Sequence, residues 1–246
     1  MNVLLIVAAG KSSRFGGFPK AFCKVNGKMV IENSIEIASH FFDKIYVGVN
    51  KSIYNDYIDK IENCELFWIK TGQGDAHSLL KCLKYIKNQN ESVTDVIFCW
   101  GDAYFVSGLP FSLLLDGRDK AEISVACSID SNPYAWFDIE DDVIIKAHFA
   151  KEEGLVEKGI HDQCLFKGDM DFTIDYLNSY RLSLGIPEDN DENECDINEM
   201  KLLNSFEYLH NTYGIGAKYV MVEKNQVLTF NTQEELDSIS QQLNQM

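Results

Sequence analysis

At 246 residues, 46% of them hydrophobic, the chain can bury a sizeable core and fits one large α/β domain with no low-complexity linker or internal repeat. Its 22 Lys and Arg against 38 Asp and Glu leave a net charge of −16, which disfavours nucleic acid and anionic membranes as partners. No basic leader or membrane-length apolar run is present, and the seven cysteines form no C-x-x-C pair, so reduced thiols in a cytoplasmic protein are expected rather than a disulfide frame or zinc site.

The apolar run Val3 to Val7 reads as a buried strand, and a Gly-rich turn carrying Ser12, Ser13, Arg14 and Lys20 follows it. A loop after a buried parallel strand lies at the carboxyl edge of the sheet, where α/β proteins bind ligands. Small residues there (Ala8, Ala9, Gly10, Ser12, Ser13) let backbone amides approach a polyphosphate, and Arg14 and Lys20 bring charge to its oxygens. The glycine spacing fits neither a Walker loop nor a dinucleotide fingerprint.

Ile31, Ile35, Ala38 and Phe42 recur at helical spacing, followed by a strand from Lys44 to Val49. A helix over residues 53–61 and a strand over 66–69 come next. A helix carrying Leu79, Leu80, Leu83 and Ile86 then leads to a strand at 96–100. This β-α alternation predicts a doubly wound, mainly parallel Rossmann-like sheet with right-handed crossovers. Asp102, just beyond that last strand, falls at the same sheet edge as the Gly-rich turn. The second half reads as a strand over 121–129 and a pair, 135–140 and 143–148, split by Asp141-Asp142 as an antiparallel edge or flap. Helices over 172–184 and 197–213, strands over 217–222 and 226–230, and a closing helix from Thr232 complete the expectation. Residues 188–196 hold six acids in nine and read as a solvated loop.

Alanine, glycine, serine, arginine, glycine and Pro-Lys in the order Ala9, Gly10, Ser13, Arg14, Gly16, Pro19-Lys20 resemble the signature loop of nucleotidyltransferases that join an NTP to a sugar phosphate or similar small phosphate. The resemblance implies that Arg14 and Lys20 are catalytic and that Asp102, in Gly101-Asp102, holds Mg²⁺ as in the family's G-D motif. Residues 71–78 resemble the family's Q-x-x-G-T-A-x-A stretch at shortened spacing, with Asp75 in place of Thr. Gln73 and Gly74 are then nucleotide-binding, while Asp75 either caps the following helix or faces a base with an exocyclic amine. Asn198-Glu199 resembles N-E-x-x-L-T-D, so Glu199 either touches the acceptor or opens an amphipathic helix. Lys151, with Lys146 as rival, matches the family's acceptor-phosphate lysine. Asn231-Thr232-Gln233-Glu234-Glu235-Leu236 is close to N-T-P-E-[DE]-L; it supplies a capping box and makes Asn231 a candidate second metal ligand.

The family's E-K-P triplet is missing, and its N-x-G triplet reads His161-Asp162-Gln163, so nucleotide-side motifs are kept better than acceptor-side ones. A nucleotide-binding half (1–110) and an acceptor-binding half (111–246) are expected within one domain. The implied reaction is attack of an acceptor phosphate on the α-phosphorus of an NTP, CTP favoured, with Mg²⁺ as cofactor. The acceptor is a sugar phosphate or another small phosphate such as phosphocholine or phosphoglutamine, in surface-glycan synthesis, and a homodimer is a possible assembly. The alternatives are a GT-A glycosyltransferase, which would need D-x-D where Gly101-Asp102-Ala103 stands, and a nucleotide sensor without turnover.

Overall fold

The computed structural model describes residues 1–10, 12, 15–90, 92–117, 122–188 and 199–244. Strand β1 (Val3–Ala8) is buried along its whole length because it lies inside the sheet with a core on each face. Val3, Leu5 and Val7 enter one core and Leu4, Ile6 and Ala8 the other, the two-residue period of a strand read on both sides. After the Gly-rich turn come a single 3₁₀ turn (Lys20–Phe22), the short strands β2 (Lys24–Val25) and β3 (Lys28–Met29), and helix α1 (Val30–Ala38). Then follow β4 (Lys44–Val49), α2 (Lys51–Tyr57), β5 (Glu65–Trp68), α3 (Asp75–Gln89) and β6 (Asp95–Trp100). Strands β5, β4, β1 and β6 lie side by side and parallel, as the alternation predicted.

The second half contributes β7 (Tyr104–Phe105), α4 (Leu109–Asp116), β8 (Ile123–Ser131), β9 (Ala135–Glu140), β10 (Val143–Phe149) and the single turn α5 (Ala150–Glu153). Next come β11 (Lys158–Asp169), α6 (Met170–Ser183), α7 (Ser205–Tyr213), β12 (Ala217–Met221), β13 (Val227–Leu228) and α8 (Gln233–Leu243). The nine-stranded sheet runs β5-β4-β1-β6-β11-β8-β12-β10-β9. Its far edge is the expected antiparallel hairpin: Asp141 and Asp142 both have positive φ (46° and 61°), the conformation a tight two-residue turn requires.

Two expectations are corrected. Strand β11, antiparallel to both β6 and β8, was not anticipated from sequence; its register breaks between Asp162 and Phe166, where Cys164 takes φ +54°. The helix expected over residues 197–213 begins only at Ser205, and of its first part Ile197 and Asn198 fall outside the described residues. So do most of the acidic stretch and the start of the strand expected from residue 121.

Helices α3, α6 and α7 cover one sheet face, with Leu79, Leu83, Tyr176, Leu177, Phe206 and Leu209 buried there. Helices α1, α2 and α4 cover the other through Ile31, Ile35, Ile53, Phe111 and Leu114. A third, smaller cluster joins Cys23 and Val25 to Leu228, Phe230, Leu236 and Ile239, tying the beginning of the chain to its last helix. Among the described residues no helix is long and apolar enough to cross a membrane. Phe98 and Phe166 are directly opposite across β6 and β11 and stack with centroids 5.2 Å apart. Phe98→Ala removes that buried ring and is expected to cost about 3–5 kcal/mol in a urea unfolding titration; a loss under about 1 kcal/mol would contradict this account of the core.

Candidate active site

The carboxyl ends of β1 and β6 are adjacent because the strands are parallel neighbours, so the Gly-rich turn and Asp102 meet at one edge. Gly101 makes the contact close. Its N–H donates to the Val7 carbonyl (2.9 Å), and a Cβ there would lie 2.6 Å from the Ala8 side chain and 3.1 Å from that of Ala21. Only a residue without a side chain lets the 3₁₀ turn beginning at Lys20 settle onto the end of β1. Within the loop, Ser12 adopts φ +48°; its carbonyl accepts from Phe15 N–H (2.8 Å) and Gly17 N–H (3.1 Å), and its hydroxyl accepts from Lys20 N–H (3.3 Å). Lys20 is thereby aimed from a fixed backbone.

Three of the residues expected at the site converge. The Lys20 ammonium lies 2.7 Å from Asp102 Oδ2 and 3.0 Å from Asn231 Oδ1. The reason that residue 231 reaches residue 102 is a two-residue ladder. Strand β7, starting two residues after Asp102, pairs antiparallel with β13, which ends three residues before Asn231 (Leu228↔Tyr104, Val227↔Phe105). Fully buried Phe230 fixes the intervening turn, with Phe15 packed edge-on at 5.5 Å and the Lys20 ammonium 5.8 Å from its ring centre. Thr232 caps α8: its hydroxyl accepts from Glu235 N–H (3.2 Å) while Glu235 accepts from Thr232 N–H (3.3 Å). Asn231 N–H donates to the same Glu235 carboxylate (2.5 Å), so its backbone is held by the cap while its side-chain amide oxygen is turned to Lys20.

The donor set suits a hard divalent cation: one carboxylate and one amide oxygen face a single position, and a positive charge already sits between them. Among the described residues no three His, Cys, Asp or Glu side chains gather as a metal cluster, so substrate oxygens and water would complete the shell of such an ion.

The second group of expected residues is joined to a different partner. Gly74, at φ +98°, runs against the backbone of Met200; a Cβ would approach its carbonyl oxygen to 2.5 Å. Met200 N–H donates to the Gln73 carbonyl (2.9 Å), and Ala76 N–H donates to the Met200 carbonyl (3.0 Å). Asp75 opens α3 without being its N-cap, which is Gly74, and its carboxylate accepts from Leu202 N–H (2.8 Å). It braces the 199–203 segment to α3 instead of capping the helix. Exposed Glu199 is thereby held within electrostatic range of Asp75. Buried His77 accepts from Gln73 N–H (3.1 Å), and burial lowers it to about 4, a neutral structural residue.

The remaining expected residues are placed as follows. Ala8 ends β1, the Ala9 carbonyl accepts from the buried Thr71 hydroxyl (3.1 Å), and Gly10 is exposed. Lys151 is exposed on α5, and its rival Lys146 is paired with Glu207 (3.1 Å). Ser13, Arg14 and Asn198 lie outside the described residues.

One further residue, Asp162, escaped the sequence reading. Cys164 holds the left-handed backbone in β11, so a glycine of an N-x-G triplet would fall on Cys164 and its Asn on Asp162, one residue later than His161-Asp162-Gln163. The Asp162 carboxylate accepts from Cys164 N–H (3.0 Å), and crowding by protein pushes its carboxyl upward. A one-residue shift of the triplet was the available signal.

Asp75 is accessible to solvent yet crowded on most sides by protein, the situation of a group in a recess. Desolvation raises its carboxyl to about 6, against the pull of the Leu202 and Ala76 amides and with help from Glu199 and Asp162. The native state therefore holds more protons here than the unfolded chain between about pH 4 and about pH 6, and the associated stability falls as pH rises through that window. Asp75→Asn keeps an acceptor for Leu202 and loses the titration. Its melting temperature relative to wild type is expected to rise between about pH 4 and pH 7; parallel pH profiles in thermal melts would refute the assignment.

Comparison with known proteins places this geometry. The sequence model described as the MobA-like NTP transferase domain matches residues 4–151. The bifunctional protein GlmU of Buchnera aphidicola subsp. Acyrthosiphon pisum is 28% identical over 137 residues, covering 54% of this chain and 29% of that protein. The 2-C-methyl-D-erythritol 4-phosphate cytidylyltransferase of Thermosipho africanus is 31% identical over 111 residues, 44% of this chain and 49% of that protein. The match thus spans under a third to about half the length of these curated relatives. Among solved structures, the CTP:phosphocholine cytidylyltransferase of Streptococcus pneumoniae superposes with a TM-score of 0.68 at 14% identity, over 99% of this chain and all of that one. The inositol-1-phosphate CTP transferase of T. maritima gives 0.68 at 16% identity, over 99% and 95%. These structural likenesses concern the fold, whereas the sequence match covers the Gly-rich turn, Lys20, Gln73 to Asp75 and Asp102 alike. The chain belongs to the family of MobA-like NTP transferase domains.

Proposed function

We propose that the protein is a nucleotidyltransferase that joins an NTP, CTP by preference, to a small phosphorylated acceptor and releases pyrophosphate. The observation that carries this reading is the convergence of Lys20, Asp102 and Asn231 at the carboxyl edge of the parallel strands. The cytidylyl-transferring relative and the two superposable CTP-dependent enzymes favour cytosine as the base. Residues 1–110 supply the nucleotide side and residues 111–246 the acceptor side, with Glu199, Lys151 and Asp162 as its polar contacts.

The chemistry asks little of a general base. A phosphate monoester has its second pKa near 6 and is already ionised at neutral pH. One of its oxygens forms a bond to the α-phosphorus while the bond to the β-phosphate oxygen breaks, and pyrophosphate departs with the electron pair. Catalysis is then alignment and charge neutralisation. A Mg²⁺ ion held by Asp102 and Asn231 would supply positive charge to the triphosphate. Lys20, on a backbone pinned by Ser12, turns its flexible stem from Asp102 to the charge growing on the α-phosphoryl group. Arg14 and the amides of the Gly-rich turn hold the departing pyrophosphate.

Pyrophosphate release is to be followed with CTP, UTP, GTP, ATP and dTTP, each crossed with sugar phosphates and with non-sugar phosphates such as phosphocholine. Release with one pair is expected, CTP among the active nucleotides. Lys20→Ala and Asp102→Ala are each expected to lower kcat/KM by about a hundredfold or more with unchanged thermal melts. Wild-type rates in both variants would overturn the site, and nucleotide binding without release across the panel would turn the reading toward a sensor.

A further inference from the structure

Lys20 stands where the metal would stand. Its ammonium is shared between Asp102 Oδ2 at 2.7 Å and Asn231 Oδ1 at 3.0 Å, and the Lys20 side chain is only 15% exposed. An ammonium has three donors, and two are used on these oxygens. A Mg²⁺ ion held by these two side chains would need the single Asn231 amide oxygen and an Asp102 oxygen at roughly 2.0–2.1 Å. Two cations cannot occupy that position together, so metal binding requires the ammonium to leave.

Where it can go depends on what arrives. The Lys20 backbone is fixed by Ser12 Oγ on its N–H and by Cys23 N–H on its carbonyl, so only the side chain moves. A free hydrated ion brings a second positive charge and offers the displaced ammonium no anion. A metal–triphosphate complex brings the ion together with phosphate oxygens that can take the ammonium over. Phe230 walls one side of the ammonium and provides no alternative counter-ion there.

We propose that Lys20 is an internal counter-ion that keeps the Asp102–Asn231 position closed to free divalent cations, so that the metal is admitted only together with the nucleotide. This inference rests on the reading of Asp102 and Asn231 as metal ligands. It gives Lys20 two effects of opposite sign: removing its charge weakens catalysis and strengthens binding of free metal. A merely structural lysine would produce no such gain.

The test is Mn²⁺ binding followed by electron paramagnetic resonance, which reports the free hydrated ion, on the full chain without acceptor. Wild type, Lys20→Met, Lys20→Gln and the double variant Lys20→Met with Asp102→Asn are titrated with manganese chloride, alone and with each ribonucleoside triphosphate in turn. Thermal melts establish that each protein compared is folded. Without nucleotide, Lys20→Met or Lys20→Gln is expected to bind Mn²⁺ on the order of tenfold more tightly than wild type, and Asp102→Asn to abolish the gain. If wild type holds Mn²⁺ with a nucleotide but the folded Lys20 variants bind the free ion no more tightly than wild type, the counter-ion role is refuted while the metal ligands stand. If wild type with every nucleotide retains no more Mn²⁺ than the nucleotide does by itself, the metal ligands are refuted and the counter-ion role falls with them.

Discussion

The site depends on one ammonium group held between two oxygens from distant parts of the chain. Lys20 comes from the loop after the first strand, Asp102 from the end of the fourth parallel strand and Asn231 from the turn before the last helix. Such a shared ion pair is modest in energy when partly exposed. Its geometry is nevertheless narrow, because the backbone behind each side chain is set by something stronger. Lys20 is aimed by the Ser12 turn and a close approach that only Gly101 permits, Asp102 by the burial of β6, and Asn231 by the β7–β13 ladder and buried Phe230. Cores on both faces of the sheet determine where these three supports lie.

The second support of the site is the 199–203 segment. Its hydrogen bonds to Gln73, Ala76 and Asp75 run between backbone and backbone or carboxylate, and buried Met200 and Leu202 anchor it in the larger core. Glu199 is carried to its place by this brace. An exposed acidic residue is thus positioned through the backbone of its own segment. Against a net charge of −16, the Lys20 ammonium is a cation aimed by its backbone.

How much of this was legible in the sequence varies with the physics of each part. The parallel half could be read because its strands are short apolar runs separated by helices with a 3.6-residue pattern, and Lys20, Asp102 and Asn231 stood in motifs whose order is specific. Strand β11 was missed because Lys158–Asp169 has glycines at 159 and 168 and a bulge at Asp162 to Phe166, which breaks the two-residue period that marks a strand. Residues 199–204 read as helix because Leu202 and Leu203 extend a stripe with Phe206 and Leu209, yet the backbone there is engaged by the 73–76 segment. Asp75 kept two readings open since a residue opening a helix can cap it or face outward, and its actual partner, Leu202, is 127 residues away. The ladder of β7 and β13 is too short to have a period at all.

That ladder has a consequence for the order in which the molecule comes into being. Strands β1 and β6 and the loop with Lys20 are synthesised before β13, so two members of the site precede the third in chain order. Asn231 and the Phe230 wall arrive only after more than a hundred further residues. Until then Asp102 and Lys20 lack their third member. The full seat of the Lys20 ammonium therefore awaits the second strand of the β7–β13 ladder, whatever folds before it.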